Sequence, residues 1–207
     1  MLYDYIINNY KEAEPIFFSD FEIEGITKSA LNQQLKTLCK NGLLEKYDTG
    51  VYFRPKKSLL KSSIGPNADM VARYRFISKG DNIDGFYAGN SFANQLGITT
   101  QVPRVVEIVS NNTNSSAREI EIGNRRFYVR KPVVTVNKDN VYVLQMLELL
   151  RNLDAYLDDT YADAKVKFSA YIDLHEIKRT DVDLYIRKFP GVIFKYYYEL
   201  ELDHVLA

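Results

Sequence analysis

Apolar residues at the start of the chain recur with the period of an α-helix. Leu2, Ile6, Ile7 and Tyr10 share this spacing, which predicts a first helix. Residues 19–23, which follow Pro15 and two phenylalanines, form a short pattern that predicts a second helix. The beginning of the chain is therefore predicted to be helical.

The clearest amphipathic helix lies between Gly25 and Gly42. Thr27 is placed to cap its N-terminus, and Gly42 is placed to end it. One face is apolar and carries Ala30, Leu31, Leu35, Leu38 and Cys39, so Cys39 is expected to be a small buried hydrophobe. The opposite face carries donors and acceptors of the kinds that bind base edges and phosphates: Lys28, Ser29, Asn32, Gln33 and Lys36.

A β-hairpin is predicted directly after this third helix. Residues 43–47 and 51–54 are strand-like runs, and Asp48, Thr49 and Gly50 lie between them. Helices followed by a hairpin predict a winged helix-turn-helix over residues 1–60, with the third helix in the major groove of DNA. We expect the third helix to contact bases through the polar face named above, and phosphates to be contacted by Lys46, Arg54, Lys56 and Lys57.

The charge distribution agrees with this interpretation. The whole chain has a net charge of zero, but residues 26–61 hold eight cations and two acids. Residues 1–25 hold one lysine and six acids, and residues 136–207 hold nine cations and thirteen acids. Positive potential is therefore concentrated in the segment that would bind phosphates. The alternative is that the lysines only keep a helix face solvated, in a winged helix that contacts proteins.

The rest of the chain predicts a second domain over residues 66–207. Turn-forming residues at 56–67 indicate a linker, and the patterns that follow predict helices at 68–77 and 91–96 and a strand at 105–109. A hairpin is predicted around Gly123 and Asn124. Further helices are predicted at 141–157, 165–177, 181–188 and 192–202. The predicted fold class is α+β, with a winged helix-turn-helix followed by an α/β domain that has a small sheet and a helical C-terminal part.

Two surfaces of this second domain allow alternative interpretations. Arg125, Arg126, Arg130 and Lys131 could form a second nucleic-acid patch, but we favour ion pairing with Glu119 and Glu121 across the hairpin. The tyrosine-rich, acidic C-terminal helices could bind a partner or a second copy, although packing explains the aromatic residues equally well.

The residues expected of an enzyme are not found in the sequence. The only histidines are His175 and His204, and the segment after His175 lacks the second histidine of a zinc protease helix. Phosphate-binding, dinucleotide-binding and serine-hydrolase glycine motifs are also missing. We therefore predict no catalytic, cofactor-binding or metal-binding residues. The single cysteine and the lack of a signal or membrane segment predict a cytoplasmic protein.

Two segments of the chain resemble a known family. One is Gly50-Val51-Tyr52-Phe53-Arg54-Pro55, and the other is Leu-Gly-Ile-Thr-Thr-Gln-Val-Pro at 96–103, preceded by Gly89, Ala93 and Asn94. They resemble the wing and the central signature of AbiEi-type antitoxins, the transcriptional regulators of type IV abortive-infection toxin-antitoxin systems. The resemblance covers roughly residues 17–135. Thr49 departs from the family, which tends to have a basic residue before this glycine.

The resemblance implies a function that the pattern of residues does not show. It implies an antitoxin that represses its own operon, encoded beside a nucleotidyltransferase-like toxin. The expected partner is double-stranded DNA of its own promoter, where inverted repeats would hold two protomers. The alternative is a protein-interaction module that neutralises the toxin by direct contact.

Overall fold

A computed structural model describes residues 2–21, 23–56 and 63–206. The fold is mixed α+β, as predicted. The chain divides into two compact units, one made of residues 1–71 with 122–125 and the other of residues 72–121 with 126–207. This division differs from the predicted boundary at 60–66. Residues 63–67 belong to the first unit, where the backbones of Lys56 and Ile64 exchange hydrogen bonds of 3.2 and 3.1 Å.

The first unit has the element order of a winged helix. Helix α1 (Leu2–Asn9) is followed by β1 (Ile16–Phe17), α2 (Lys28–Lys40), β2 (Glu45–Asp48) and β3 (Val51–Phe53). The three strands form an antiparallel sheet in the order β1-β3-β2, so the β2-β3 hairpin is the wing.

The predicted second helix is wrong in extent, because the structure has only a 3-10 turn at Phe18–Asp20. Phe17 pairs with Val51 of β3, and the N–H of Phe18 donates to the Gly50 carbonyl at 2.8 Å. The chain is thus held to the sheet up to Phe18. Gly25 is the other limit of the segment, because its positive φ of 79° is not a helical angle. Too few residues remain between these points for an α-helix of ordinary length.

A small apolar core holds the first unit together. Its buried members come from both helices and from the chain around the sheet: Leu2, Ile6, Tyr10, Ile16, Phe21, Leu31, Leu35 and Leu44. Because α2 contributes Leu31 and Leu35, its opposite face must point to solvent. The core therefore fixes which face of α2 is available for binding.

The second unit contains most of a four-stranded sheet and the C-terminal helices. The sheet order is β6 (Gly85–Tyr87), β7 (Val105–Ser110), β9 (Arg125–Arg130) and β8 (Ala117–Ile122), with β7 and β9 parallel. Helix α3 (Ala68–Phe76) and the two-stranded pair β4 (Ser78–Lys79) and β5 (Asn82–Ile83) precede it, and α4 (Gly89–Gln95) lies between β6 and β7. The predicted hairpin is confirmed as β8 and β9. The N–H of Lys131 donates to the Ser116 carbonyl at 3.0 Å, which fits a two-residue turn.

The C-terminal helical part of the chain supplies most of the residues of the apolar core of the second unit. Its helices are α5 (Val141–Leu150), α6 (Tyr161–Leu174), α7 (Arg179–Tyr185), α8 (Val192–Glu199) and α9 (Leu202–Val205). Two predicted helices are shorter than their patterns indicate. The helix predicted at 141–157 ends at Leu150, before a 3-10 turn at Leu153–Ala155, and the one predicted at 192–202 is interrupted at Glu201, where φ is +48°. Among the helices described, none is long and apolar enough to cross a bilayer.

Candidate nucleic-acid interface

The predicted third helix is α2 of the structure, and it begins at a side-chain cap, as predicted. Thr27 has extended backbone angles, and its Oγ1 accepts a hydrogen bond from the Ala30 N–H at 3.2 Å. Lys28 and Ser29 of the first turn are exposed. The N-terminus of a helix carries a partial positive charge and unpaired N–H groups, so this exposed end is suited to a phosphate.

The inner face of α2 is anchored in the core of the first unit. Leu35 is completely buried, Leu31 nearly so, and Leu38 and Cys39 pack against the same cluster. Burial raises the pKa of the Cys39 thiol, so the neutral form is favoured. Cys39 packs against the apolar cluster as expected, but it is half-buried rather than buried.

The outer face of α2 is free to bind a ligand. The side chains of the predicted set, Lys28, Ser29, Asn32, Gln33 and Lys36, are all exposed. None of them makes a side-chain hydrogen bond or ion pair with another residue in the described ranges. From Lys28 to Lys36 the helix rises about 12 Å, which is about the width of the major groove. The surface thus has the dimensions and polarity required for base contacts.

Lys40 belongs to the same surface and was missing from the predicted set. It is exposed in the last turn of α2 and follows Lys28, Asn32 and Lys36 at intervals of four residues. Residues at this spacing lie along one ridge of a helix. The interval was visible in the sequence, but only the end of α2 at Lys40 shows that the ridge continues this far.

The tip of the wing is not basic. Asp48, Thr49 and Gly50 form the turn, and the Asp48 carboxylate accepts a hydrogen bond from the Thr49 N–H at 2.6 Å. Gly50 has a φ of +72°, a conformation that other residues adopt at a cost. Lys46 is exposed on β2, opposite Tyr52, so it remains a candidate phosphate contact on the hairpin. A carboxylate at the tip would repel a phosphate placed there.

Arg54, a predicted phosphate contact, has another role in the structure. Its Nη1 donates to the Tyr10 carbonyl just beyond α1 at 2.8 Å, and its backbone carbonyl accepts from the Ala13 N–H at 2.8 Å. The side chain is half-buried. Arg54 therefore joins the end of α1 to the wing through Nη1, and its predicted contact with a phosphate stays a prediction.

The last two predicted cations lie beyond the wing. Lys56 is exposed and comes four residues after Tyr52, roughly 13 Å further along an extended chain, so it is distant from the position of Lys46. Lys57 lies outside the described residues. Lys46 and Lys56 thus do not form one cluster at the wing tip.

The second group of cations is partly neutralised by acids, but by different acids from those predicted. Arg125 forms an ion pair with Asp69, and Arg130 forms one with Glu148 at 2.7 Å. Arg151 also approaches Glu148, at 3.4 Å, and the Glu148 side chain is only 3% exposed. The expected pairing with Glu119 and Glu121 does not occur at these two arginines. The Arg130 interaction therefore stabilises the fold of the second unit.

The described residues contain no group of three or more histidine, cysteine, aspartate or glutamate side chains that could hold a metal ion. His175 instead stacks on Tyr142, with ring centroids 3.6 Å apart, and burial lowers its pKa. It therefore belongs to an aromatic packing cluster.

The chain matches the family described as "Family of unknown function (DUF6088)" over residues 4–160. The match includes the winged helix and the four-stranded sheet, and it ends at the residue that caps α6. No curated protein matches the chain.

Proposed function

The chain belongs to the DUF6088 family, which has no assigned function, and we propose that it is a transcriptional regulator that binds double-stranded DNA through its N-terminal winged helix. The observation that carries this proposal is the outer face of α2, where an exposed row of lysines and carboxamides follows a capped helix N-terminus. No acid occurs between Lys28 and Lys40. Such a face combines cationic attraction to phosphates with groups that recognise bases.

The proposed biological role is that of an antitoxin and autorepressor of an abortive-infection operon. Its support is the resemblance at Gly50 to Pro55 and at residues 96–103, together with the winged-helix order of the first unit. In the second unit, the signature loop is held by Asp158, whose Oδ2 accepts from the Thr99 hydroxyl at 2.8 Å and from the Thr100 N–H at 2.7 Å. We also propose that the protein is not an enzyme and that it acts in the cytoplasm, beside a nucleotidyltransferase-like toxin.

A gel-shift experiment with the chain's own upstream DNA tests the proposal. The wild type should shift this DNA at lower protein concentration than it shifts unrelated DNA of equal length. Replacement of Asn32 and Gln33 by alanine should reduce this preference, and Lys56→Ala should weaken binding to both DNAs equally. Gln34→Ala is the matched control, because Gln34 is a half-buried neighbour on α2. Equal binding of both DNAs by the wild type would contradict the proposed regulator.

A second candidate function is neutralisation of a toxin by direct contact. It is favoured by an apolar row on α6, where Ala162, Val166, Ala170 and Leu174 are exposed at intervals of four residues. Val166 is 69% exposed and Leu174 is 75% exposed. Rows of this kind commonly pack against another protein. Co-purification of the product of the neighbouring gene, and its loss in a Val166→Glu and Leu174→Glu variant, would support this function.

A further inference from the structure

We propose that α2 recognises a short DNA core in which two adjacent A·T pairs lie one or two steps from a G·C pair. This inference rests on the proposed DNA-binding function and adds the identity of the bases. It follows from which side chains occupy the centre of the exposed face, and from their spacing along the helix.

The two central side chains of the face are carboxamides. Asn32 and Gln33 are exposed, and neither makes a side-chain hydrogen bond or ion pair with another residue in the part of the chain that the structure describes. A carboxamide offers one acceptor and an N–H donor side by side, and adenine presents the complementary pair at N6 and N7 in the major groove. Because the two residues are adjacent on the helix, they address neighbouring base pairs. The centre of the face is therefore matched to two adenines.

Lys36 extends the face with a cation. An ammonium group in the major groove is best placed against O6 and N7 of guanine, which are both acceptors. Cytosine offers a donor, which an aspartate or glutamate would accept, and α2 contains neither residue type. Lys36 therefore adds a guanine to the core and leaves the partner cytosine without a direct contact.

The helix geometry sets the spacing between these bases. Lys36 lies three residues after Gln33 and four after Asn32, which corresponds to about 4.5 and 6 Å along the helix axis. One base-pair step is about 3.4 Å, so the guanine falls one or two steps from the adenines. Lys28 and Lys40 are about 18 Å apart along the helix, further than the width of about 12 Å of the major groove. These two terminal lysines are thus suited to phosphates on either side of the groove.

The wing adds little to this selection. Its tip carries Asp48 and Thr49 and no cation, so it lacks the arginine or lysine that commonly enters a minor groove. A core with three specified base pairs recurs by chance about once in every few tens of base pairs, which is insufficient for one promoter among many competing sites. Two copies of the chain on repeated cores would raise this specificity.

Selection from a pool of randomised DNA duplexes tests the inference with the full chain. The enriched duplexes should share two adjacent A·T pairs with a G·C pair one or two steps away, present in two copies. With Asn32→Ala or Gln33→Ala, the preference for one of the adenines should fall by about tenfold. Lys36→Ala should reduce the preference for the guanine and retain both adenines.

Gln34→Ala is again the matched control, since it removes the same group from a half-buried position of the same helix. Selection with this variant should enrich the same DNA core as selection with the wild type. Circular dichroism and thermal unfolding of each variant establish that the variants are folded.

The possible failures are distinguishable. If the wild type enriches no sequence and binds no duplex, the proposed function itself is wrong. If it enriches a sequence whose bases do not change with Asn32→Ala, Gln33→Ala or Lys36→Ala, DNA binding stands and the assignment of bases to α2 is overturned.

Discussion

Replacement of Arg54 by methionine separates a structural cation from a DNA-binding one. The sequence places Arg54 among the phosphate contacts, whereas the structure places its guanidinium against the Tyr10 carbonyl at 2.8 Å. We expect Arg54→Met to destabilise the first unit and to leave the salt dependence of DNA binding unchanged. Methionine retains much of the apolar length of the side chain, so the change removes mainly the hydrogen bonds and the charge.

The size of the effect follows from the kind of contact. A hydrogen bond from a charged group contributes about 1.5–3 kcal/mol to stability, and the lower end applies here because Arg54 is half-buried. A cation that contacts a phosphate would instead change the slope of log K against log salt concentration by about 0.9. The two roles therefore predict changes in different measurements.

Urea unfolding, monitored by circular dichroism, gives the change in stability. DNA binding measured at several salt concentrations gives the change in the slope. The comparison variant is Lys40→Ala, which removes an exposed cation of α2 and should lower the slope without loss of stability. A variant Arg54→Met with wild-type stability and a reduced slope would refute the structural role assigned to Arg54.

Three further predictions concern stability. Thr27→Ala should lower the free energy of unfolding by about 1 kcal/mol because it removes the cap of α2, whereas Thr37→Ala on the same helix should change it little. Urea unfolding of both variants measures the two changes. Equal losses of stability would exclude a capping role for Thr27. Arg130→Met should lower the free energy of unfolding by about 3 kcal/mol because it leaves the buried Glu148 with only the more distant Arg151 as a partner. The double variant with Glu148→Met should regain most of this stability. If urea unfolding shows no such rescue, the ion pair is not the cause of the loss. Hydrogen bonds from the Thr100 backbone and neighbouring hydroxyls lower the pKa of Asp158. Its stabilising contribution is therefore present above the ordinary pKa of an aspartate and is lost as the pH falls through the lowered value. Unfolding measured across acidic pH should show this loss, and Asp158→Asn should flatten the dependence of stability on pH.

The uneven charge of the chain has a consequence for DNA binding. The first 25 residues hold six acids and one lysine, next to the cationic segment at 26–61. Phosphates are attracted to the cationic segment and repelled by the acidic one, so charge favours contacts with residues 26–61. A net charge of zero for the whole chain also limits attraction to DNA of arbitrary sequence. Specific contacts from α2 consequently carry more of the proposed discrimination.

Local patterns in the sequence were sufficient to predict much of the first unit. The period of apolar residues predicted α1 and α2, Thr27 was correctly assigned as the cap, and Gly50 was correctly placed in the turn of the wing. The outer face of α2 was also predicted to be exposed. These features depend on residues within a few positions of one another, so helix periodicity, capping and turn preferences are enough to predict them.

Contacts between distant parts of the chain decided the rest. The predicted second helix is a single turn because Phe17 pairs with Val51 of β3 and Phe18 donates to Gly50, both more than 30 residues away. Arg54 donates to Tyr10, 44 residues earlier, and a lysine or arginine in a cationic segment gives no local sign of such a partner. Sequence by itself therefore determined which helix presents a polar face. Only the tertiary structure decided which cations remain on that surface, because the choice between solvent and a backbone carbonyl depends on what folding brings alongside.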